Sequence, residues 1–285
     1  MSLSRLSILG VGLLGGSIGL AARSRISGCQ VVGYGHRTET LDRALQLGAI
    51  DVATLDPAEA VSGTELVILA TPVGRFERVL NQIAPHLSSA AVVTDVGSTK
   101  RSVVQLAEQA LPNPARFVGS HPMAGGERAG IDAARADLFD RAMCMTTPMP
   151  QTDPTALELV ESFWRILGMR VIRLSPEDHD RHLADASHLP HLLASMLVAM
   201  QSSDSLELAG KGFADMTRIA AGDGGLWRDI LLDNADNVRD SIARLRAQLD
   251  CVEALLRPDQ ADALRTYLDT AAATRRALSS PGRES

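Results

Sequence analysis

The stretch Ile8-Leu-Gly-Val-Gly-Leu-Leu-Gly-Gly-Ser-Ile-Gly-Leu20 decides the fold of this chain. The apolar run at 6–9 predicts a buried strand, and apolar residues at helical spacing continue to about residue 25. Between strand and helix, three glycines stand at the spacing G-x-G-x-x-G. Gly10 allows a tight turn, Gly12 lets backbone N–H groups approach a pyrophosphate, and Gly15 lets the helix pack closely on the strand.

A helix that begins at such a loop directs free N–H groups and a partial positive charge at bound phosphates. The glycine spacing alone is weak evidence, since glycines also mark ordinary turns, but its place between a strand and a helix strengthens it. We therefore predict a dinucleotide cofactor. Its phosphate cradle would consist of Gly10, Gly12, Leu13, Leu14 and Gly15.

The composition of the chain restricts its class. A length of 285 residues suggests two domains, and a hydrophobic content of 45% supports a sizeable core. Only 3% of residues are aromatic, so this core is mostly aliphatic. The net charge of −6 argues against a general nucleic-acid binder but leaves room for a local basic pocket.

Cysteine usage and hydropathy indicate a reducing, cytoplasmic setting. Cys29, Cys144 and Cys251 are far apart and no C-x-x-C occurs, so we expect buried free thiols rather than a zinc site or a disulfide framework. No apolar run reaches the ~18 residues of a membrane span. The first strand is not preceded by a charged leader with a cleavage site.

Strands and helices alternate through the first part of the chain. Apolar runs predict strands at 6–9, 29–34, 65–70, 91–95, 116–120, 142–147 and 170–174, with helices at 38–47, 75–83, 100–110 and 155–167. This alternation predicts an α/β Rossmann-type domain over residues 1–175, with a parallel sheet covered on both faces.

The remaining residues show a helical pattern. Between residues 178 and 278 no convincing strand occurs, and apolar side chains share helical faces, as in Leu192, Met196 and Ala199 or in Ile242, Leu245, Leu249 and Val252. We therefore predict an all-α domain over residues 176–285. A helical domain after a Rossmann domain often supplies the substrate side of a cleft, and sometimes an oligomer interface.

Polar residues follow the predicted strands at the edge where ligands of open parallel sheets bind. Asp95 and Ser98 lie in one such segment and His121 lies in the next, while Thr71 and Pro72 stand at the exit of the strand at 65–70. We expect Thr71, Pro72 and Asp95 to contact the cofactor. As an isolated segment, Asp95-Val-Gly-Ser98 fits an N-capped turn equally well. His121 could be a core histidine, but its place in a loop at the cofactor end favours a functional role.

In the helical part, His188 and His191 stand three residues apart in Ser187-His-Leu-Pro-His191. Neither a carboxylate nor a cysteine motif accompanies them, so we predict no metal and expect one of the two histidines to form hydrogen bonds in the cleft. Arg218 has apolar neighbours and could be a surface arginine with a buried stem. Trp227 is interpreted as a packing residue near the site.

These segments resemble the prephenate/arogenate (cyclohexadienyl) dehydrogenase family of tyrosine biosynthesis. The matching segments occur in the family's order from residue 6 to about 250: the glycine loop, Asp95-Val-Gly-Ser-Thr-Lys100, Gly119-Ser-His-Pro-Met-Ala-Gly125, Ser187-His-Leu-Pro-His191, Asp215-Met-Thr-Arg-Ile219 and Trp227-Arg-Asp-Ile230. Many dehydrogenases share the first segment, whereas the two histidine segments together are much more specific. The family's Rossmann domain and helical dimerisation domain agree with the pattern above.

The resemblance implies the following roles. His121 would accept a hydrogen bond from the ring hydroxyl of prephenate or arogenate, Ser98 would support that hydroxyl, and Arg218 would bind the ring carboxylate. The cleft lining and its polar gate would include His188, His191, Glu127 and Asp215. The resemblance also implies a homodimer and hydride transfer to NAD(P). A regulatory ACT segment or a fused chorismate mutase does not fit into 285 residues and is not expected.

Two other functions remain open at this point. A β-hydroxyacid dehydrogenase shares the architecture but needs a lysine in the helical domain, where Lys211 is the only one; Lys100 is the other lysine of the chain. A non-catalytic NAD(P)-sensing protein would keep the glycine loop and lack a working His121 and Arg218. The presence of both residues argues against it.

The end of the second strand bears on the choice of cofactor. NAD-specific Rossmann folds place a carboxylate about 20 residues beyond the glycine loop, on the ribose 2′-hydroxyl. Here that position is Gly35, followed by His36, Arg37 and Thr38, and the nearest carboxylate is Glu39 in the following helix. Arg37 could bind a 2′-phosphate bidentately, or it could be a solvated residue before a helix. We predict NADP as the preferred cofactor and NAD as the alternative.

Overall fold

The computed structural model describes residues 3–126 and 128–278. Eight strands are present in this part of the chain: β1 Arg5–Leu9, β2 Gln30–Tyr34, β3 Val52–Thr54, β4 Leu66–Leu69, β5 Val92–Asp95, β6 Phe117–Pro122, β7 Met143–Thr147 and β8 Arg170–Arg173. The helices are α1 Leu13–Arg25, α2 Thr38–Gln46, α3 Pro57–Val61, α4 Phe76–Ile83, α5 Arg101–Ala110, α6 Pro154–Ile166, α7 Pro176–Leu183, α8 Leu189–Ala199, α9 Ser203–Glu207, α10 Lys211–Thr217, α11 Gly224–Asp233, α12 Ala235–Leu255 and α13 Ala261–Leu278.

The strands form one sheet in the order β3-β2-β1-β4-β5-β6-β7-β8, which confirms the predicted Rossmann-type fold. The first six strands are mutually parallel, whereas β7 runs antiparallel to β6 and β8 runs parallel to β7. A parallel return from β6 would need a crossover, usually a helix. The described residues between β6 and β7 contain a short 3-10 turn, Ile131–Ala133, and no α-helix.

The short elements β3 and α3 were not predicted from the sequence. Three and five residues are too few to show a period in hydrophobicity. The start of α3 nevertheless has a recognisable signal, because the Asp56 side chain accepts a hydrogen bond from the Ala58 N–H and Pro57 occupies the first turn.

Helices cover both faces of the sheet. Side chains of α1 and α6, including Ile18 and Trp164, pack with Ile8 and Ile68 on one face. Side chains of α4 and α5 pack with Leu9 and Val67 and their neighbours on the other. Because β4 is buried on both faces, its sequence Leu-Val-Ile-Leu is a continuous apolar run rather than an alternating one. The strand β5 is also fully buried, but it ends with the polar residues Thr94 and Asp95.

The cysteine prediction was partly wrong. Cys29 and Cys144 are buried, but Cys251, which lies in α12, is exposed. Burial raises the pKa of the Cys29 thiol to about 11 and that of Cys144 further. Neither buried cysteine is therefore a thiolate at neutral pH.

Helices follow β8 to the end of the described chain. By their contacts, the residues group into two compact units, Met1–Ala235 and Asp236–Ser285. The first unit holds the whole sheet and α1 to α11, and the second holds α13 and nearly all of α12. No helix in 3–126 or 128–278 is long and apolar enough to cross a membrane.

Candidate active site

The glycine loop after β1 has the geometry of a phosphate cradle. Gly10 has φ +110°, and a Cβ there would lie 2.7 Å from the Ala70 carbonyl carbon, so only glycine fits. A Cβ at Gly15 would lie 2.0 Å from the Gly10 oxygen. A Cβ at Gly12, by contrast, would meet no protein atom within 4 Å. The protein therefore leaves open the space over Gly12 into which a pyrophosphate would fit.

The N-terminus of α1 is free to bind an anion. Gly12 caps this helix without a side-chain hydrogen bond, and its first turn, which contains Leu13 and Leu14, has no acidic residue. No carboxylate of the helix itself therefore competes for its dipole. The sequence-predicted cradle residues lie together here, which fits a dinucleotide.

Two neighbouring strand ends extend this cradle. His36, Arg37 and Thr38 are exposed after β2, and the structure gives the Arg37 guanidinium no ion pair with a described residue. Thr71 follows β4, and its buried Oγ1 has no hydrogen-bond partner in the described part of the protein; the exposed Pro72 comes next. Both strand ends thus offer polar groups that the described residues do not use.

At the end of β6, the His121 ring is held by a chain of hydrogen bonds. Its Nδ1 lies 2.9 Å from Nε2 of His179 in α7, and Nδ1 of His179 lies 2.8 Å from Oδ1 of Asp180. Asp180 also accepts hydrogen bonds from the backbone N–H groups of Lys100 at 2.8 Å and Arg101 at 3.0 Å, at the start of α5. The three side chains are at most 8% exposed.

Electrostatics keep both imidazoles neutral and the carboxyl ionised. Burial, with contributions from His179 and Lys100, lowers the pKa of His121 well below 6.5, and burial also lowers that of His179. Burial alone would raise the pKa of Asp180, but the hydrogen bonds from His179 and the Arg101 N–H outweigh it and lower that pKa. At neutral pH, His121 can therefore act as a proton acceptor.

Asp95, at the end of β5, is fully buried and anchors the next loop. Its carboxylate is paired with Lys100 and accepts the N–H groups of Gly97 at 2.7 Å and Ser120 at 3.0 Å. Both carboxylate oxygens are thus used by protein groups. Ser98 is half-buried in the loop that these bonds fix between β5 and α5.

The two histidines of the helical part are both buried. A π-helical turn, Ala184–His188, joins α7 to α8, and Pro190 explains it, because proline has no N–H for the carbonyl four residues earlier. The Asn234 amide donates to the Asp180 carbonyl at 2.7 Å and to Nδ1 of His188 at 3.1 Å. Asn234 thereby connects His188 to the chain of hydrogen bonds that holds His121.

Each of these histidines keeps one ring nitrogen without a partner. Nε2 of His188 and Nδ1 of His191 are buried, and neither has a hydrogen-bond partner among the described residues. The His191 ring stacks on Trp227, with ring centres 3.5 Å apart and an interplanar angle of 9°. Burial lowers the pKa of both histidines, that of His188 to about 4. Buried polar atoms without partners are rare in proteins and fit a site that awaits a ligand.

The other predicted substrate contacts lie at the surface or outside the described residues. Arg218 begins a 3-10 turn directly after α10 and is exposed, as is Asp215 within α10. Glu127 lies outside the described residues. No group of three or more histidine, cysteine or acidic side chains suited to a metal occurs in the part of the chain that the structure describes.

Sequence reasoning missed His179, Asp180 and Asn234. The adjacent histidine and aspartate follow a helix start, where Ser175 caps α7 by accepting the Asp178 N–H. That signal locates the helix but not its partners. Only the packing of α7 against the start of α5 brings the pair to His121.

Two family models match the chain over most of its length. The model described as "Prephenate dehydrogenase, nucleotide-binding domain" matches residues 18–173, and the model described as "Prephenate dehydrogenase, dimerization domain" matches residues 175–270. The two matches meet between β8 and α7, at the end of the sheet.

Two relatives align along nearly the whole chain. The prephenate dehydrogenase of Bacillus subtilis is 36% identical over 271 residues, which cover 93% of this chain and 73% of that protein. The cyclohexadienyl dehydrogenase of Zymomonas mobilis is 32% identical over 280 residues, covering 96% and 95%, respectively.

Solved structures show the same fold. The prephenate dehydrogenase of Aquifex aeolicus, in complex with hydroxyphenyl propionate and NAD+, superposes with a TM-score of 0.90 at 33% identity, covering 98% of this chain and 99% of that one. The arogenate dehydrogenase of Synechocystis superposes with a TM-score of 0.83 at 29% identity, covering 96% and 99%.

Proposed function

This chain belongs to the prephenate dehydrogenase family, and we propose that it oxidatively decarboxylates prephenate or its amino counterpart arogenate. In this reaction hydride leaves the ring carbon that bears the hydroxyl, the hydroxyl loses its proton, and the ring carboxylate departs as carbon dioxide. The ring becomes aromatic, which drives the reaction forward. A bound nicotinamide nucleotide supplies the hydride acceptor.

The observation that carries this proposal is the state of His121. It is a buried, neutral imidazole at the carboxyl end of β6, the same sheet edge as the glycine loop after β1. Its Nδ1 is bonded to His179, so Nε2 is the atom that faces the substrate hydroxyl. His121 draws the hydroxyl proton as hydride leaves, because a neutral imidazole has a lone pair on Nε2 that can accept it.

The other proposed roles are those that the resemblance to the family implies. Ser98 supports the substrate hydroxyl, and Arg218 holds the ring carboxylate, to which a planar guanidinium can donate two parallel hydrogen bonds. The remaining proposed contacts come from His188, His191, Asp215 and Glu127. Asp95 acts through the loop that it anchors, because its own oxygens are bonded to Lys100, Gly97 and Ser120.

The environments of the two lysines do not favour a β-hydroxyacid dehydrogenase. Lys211 is exposed at the start of α10, and Lys100 is fully buried in an ion pair with Asp95. A lysine that acts on a substrate must be free to donate a proton in the cleft, and the buried ion pair with Asp95 prevents this for Lys100.

One assay tests the proposed reaction. The protein is incubated with prephenate or arogenate and with NAD+ or NADP+, and the absorbance of the reduced nicotinamide is followed together with release of carbon dioxide. Turnover of either substrate supports the proposal, and the ratio of the two kcat/KM values gives the side-chain preference. Absence of turnover with all four combinations, in protein that binds the cofactor, would overturn it.

We also propose that NADP is the preferred cofactor. Arg37 follows β2 where NAD-specific folds have a carboxylate, and it is exposed with no ion pair to a described residue. Arg37→Ala should lower kcat/KM for NADP and leave that for NAD nearly unchanged. Arg78→Ala, which removes an exposed arginine of α4, is the matched control. A wild-type preference for NAD would contradict this assignment.

The dimerisation-domain match covers residues 175–270, and we propose that the protein is a homodimer. Large apolar side chains of this region are exposed in the single chain, among them Met200 at 73%, Leu208 at 87% and Leu232 at 68%. Exposed apolar surface of this kind is typical of an interface. Analytical ultracentrifugation at micromolar concentration should give twice the mass of the chain, and a monomer would contradict the proposal.

A further inference from the structure

His121 has two neutral forms, and only one of them serves as a base toward the substrate. A neutral imidazole carries its proton on Nδ1 or on Nε2. Since His179 occupies the Nδ1 side at 2.9 Å, the form with a free lone pair on Nε2 is the one that can accept the hydroxyl proton. The question is what selects this form, and the inference rests on the proposed function of His121.

The chain of hydrogen bonds has a fixed direction because it ends on a carboxylate. An ionised carboxylate only accepts, so the contact of 2.8 Å between His179 and Asp180 requires a proton on Nδ1 of His179. The neutral His179 ring then has a lone pair on Nε2. That lone pair accepts the Nδ1 proton of His121, and Nε2 of His121 is left with its lone pair free.

The carboxylate itself is held in place from two further directions. Its oxygens accept the N–H groups of Lys100 and Arg101 at the N-terminus of α5, where the helix dipole favours a negative charge. His179 is fully buried and Asp180 is 1% exposed, so water does not compete for these bonds. Reversing the two imidazoles would direct the Nδ1 lone pair of His179 at the carboxylate, an arrangement that is electrostatically unfavourable.

We propose that His179 and Asp180 are positioning residues that fix His121 in the form with its proton on Nδ1 and its lone pair on Nε2. Neither residue touches the substrate. Asp180 can only accept, so it determines which ring nitrogen of His179 carries the proton. His179 in turn determines which ring nitrogen of His121 carries the proton. The same logic orients the histidine of the serine-protease triad, where exchanging the aspartate for asparagine leaves the geometry intact and lowers kcat about 10⁴-fold.

The decisive variant is Asp180→Asn, because an amide can donate to His179 where the carboxylate can only accept. The N–H and the guanidinium of Arg101 both face Oδ2, so the amide oxygen is expected in that place and the NH₂ in the place of Oδ1. There the NH₂ donates to Nδ1 of His179 and reverses both imidazoles, while the Lys100 N–H, which shares Oδ1, loses its acceptor. We expect kcat to fall by about 10²- to 10⁴-fold, with KM and cofactor affinity nearly unchanged. Asp178→Asn, on a half-buried residue of the same helix, is the matched control and should leave kcat unchanged.

A second pair of variants separates the hydrogen bond from the bulk of the ring. His179→Gln keeps an amide oxygen that can accept the Nδ1 proton of His121, and it should retain much more activity than His179→Leu. His182→Asn, an exposed histidine of α7, controls for changes in the helix. Equal loss of kcat in His179→Gln and His179→Leu would show that the hydrogen bond from His121 to residue 179 does not matter, which would overturn the proposal.

The form of His121 can also be measured without turnover. In protein labelled with ¹⁵N-histidine, two-bond ¹H–¹⁵N spectra distinguish a protonated ring nitrogen from an unprotonated one, and the His121→Asn variant assigns the signal. We expect protonated Nδ1 in the wild type and protonated Nε2 in Asp180→Asn. Protonated Nε2 in the wild type would overturn the proposal even if Asp180→Asn fails to fold. Because this measurement needs no substrate, its outcome is independent of the proposed reaction.

Discussion

His121 and His188 are both buried histidines of the first compact unit, and each uses Nδ1 in one hydrogen bond, but the partners differ in kind. Nδ1 of His121 donates to His179, which in turn donates to the Asp180 carboxylate. Nδ1 of His188 faces the Asn234 amide nitrogen, which can only donate, so His188 accepts there and carries its proton on Nε2. One histidine therefore offers a lone pair at Nε2 and the other offers an N–H.

In each histidine, the hydrogen-bond partner at one ring nitrogen determines whether the other ring nitrogen donates or accepts. The Asn234 orientation is itself fixed, because its amide nitrogen also donates to the Asp180 carbonyl at 2.7 Å. The Nε2–H of His188 is buried without a partner among the described residues, so it is suited to donate to an oxygen of a bound anion. A base and a hydrogen-bond donor thus arise from the same type of residue.

The largest expected effect comes from removing the base. His121→Asn should lower kcat at least tenfold, and by about 10²- to 10⁴-fold if the ring contributes as positioned bases typically do, with little change in KM. Steady-state kinetics on both substrates measures this, with His182→Asn as the control. A kcat near that of the wild type would show that His121 is a structural core histidine.

Removing the proposed carboxylate contact should act on binding rather than on chemistry. Arg218→Ala loses charge-assisted hydrogen bonds of about 1.5–3 kcal/mol, which corresponds to roughly 10- to 150-fold in KM. The variant Arg78→Ala is the control for loss of an exposed arginine. If KM stays at the wild-type value, Arg218 is a surface residue and the anion is bound elsewhere.

A smaller effect is expected from substitution of His191. The variant His191→Phe distinguishes the loss of a ligand contact from a packing defect. His191→Phe keeps the aromatic stack on Trp227 and removes the partnerless Nδ1. KM should rise about 2- to 10-fold through loss of one hydrogen bond to substrate. Thermal unfolding should occur at the same temperature or higher, because a buried unsatisfied nitrogen has been removed. Unchanged KM together with higher stability would show that Nδ1 of His191 does not contact the substrate.

The smallest effect concerns pH. The reaction needs neutral His121, and burial lowers the pKa of this ring well below 6.5, so lowering the pH from 8 to 6.5 leaves it neutral. The value of kcat/KM should therefore change less than about twofold over this interval and fall only as the pH drops through the lowered pKa. His188 stays neutral down to about pH 4, so its N–H donor persists as well. If kcat/KM falls to half of its maximum at pH 6.5 or above, the lowered pKa of His121 would be contradicted.

Much of the fold could be predicted from the sequence, because its signals are local. The glycine spacing restricts the backbone itself, and φ +110° at Gly10 is a conformation that side-chain-bearing residues rarely adopt. The apolar run that forms β4 could be recognised because this strand is buried on both faces. The elements β3 and α3 were not readable, and neither was the reversed direction of β7, which follows from a connection without a crossover helix.

For the site, the residue types at the strand ends can be read from the sequence: the glycines after β1, Thr71 after β4, Asp95 on β5 and His121 on β6. The protonation and hydrogen bonding of these groups depend on the packing of the folded chain. His121 and His179 are separated by 58 residues, and Asp180 and Lys100 by 80. The physical reason is that a backbone conformation is set by sterics within a few residues, whereas a proton's position is set by whichever donor or acceptor the packed helices bring within about 3 Å.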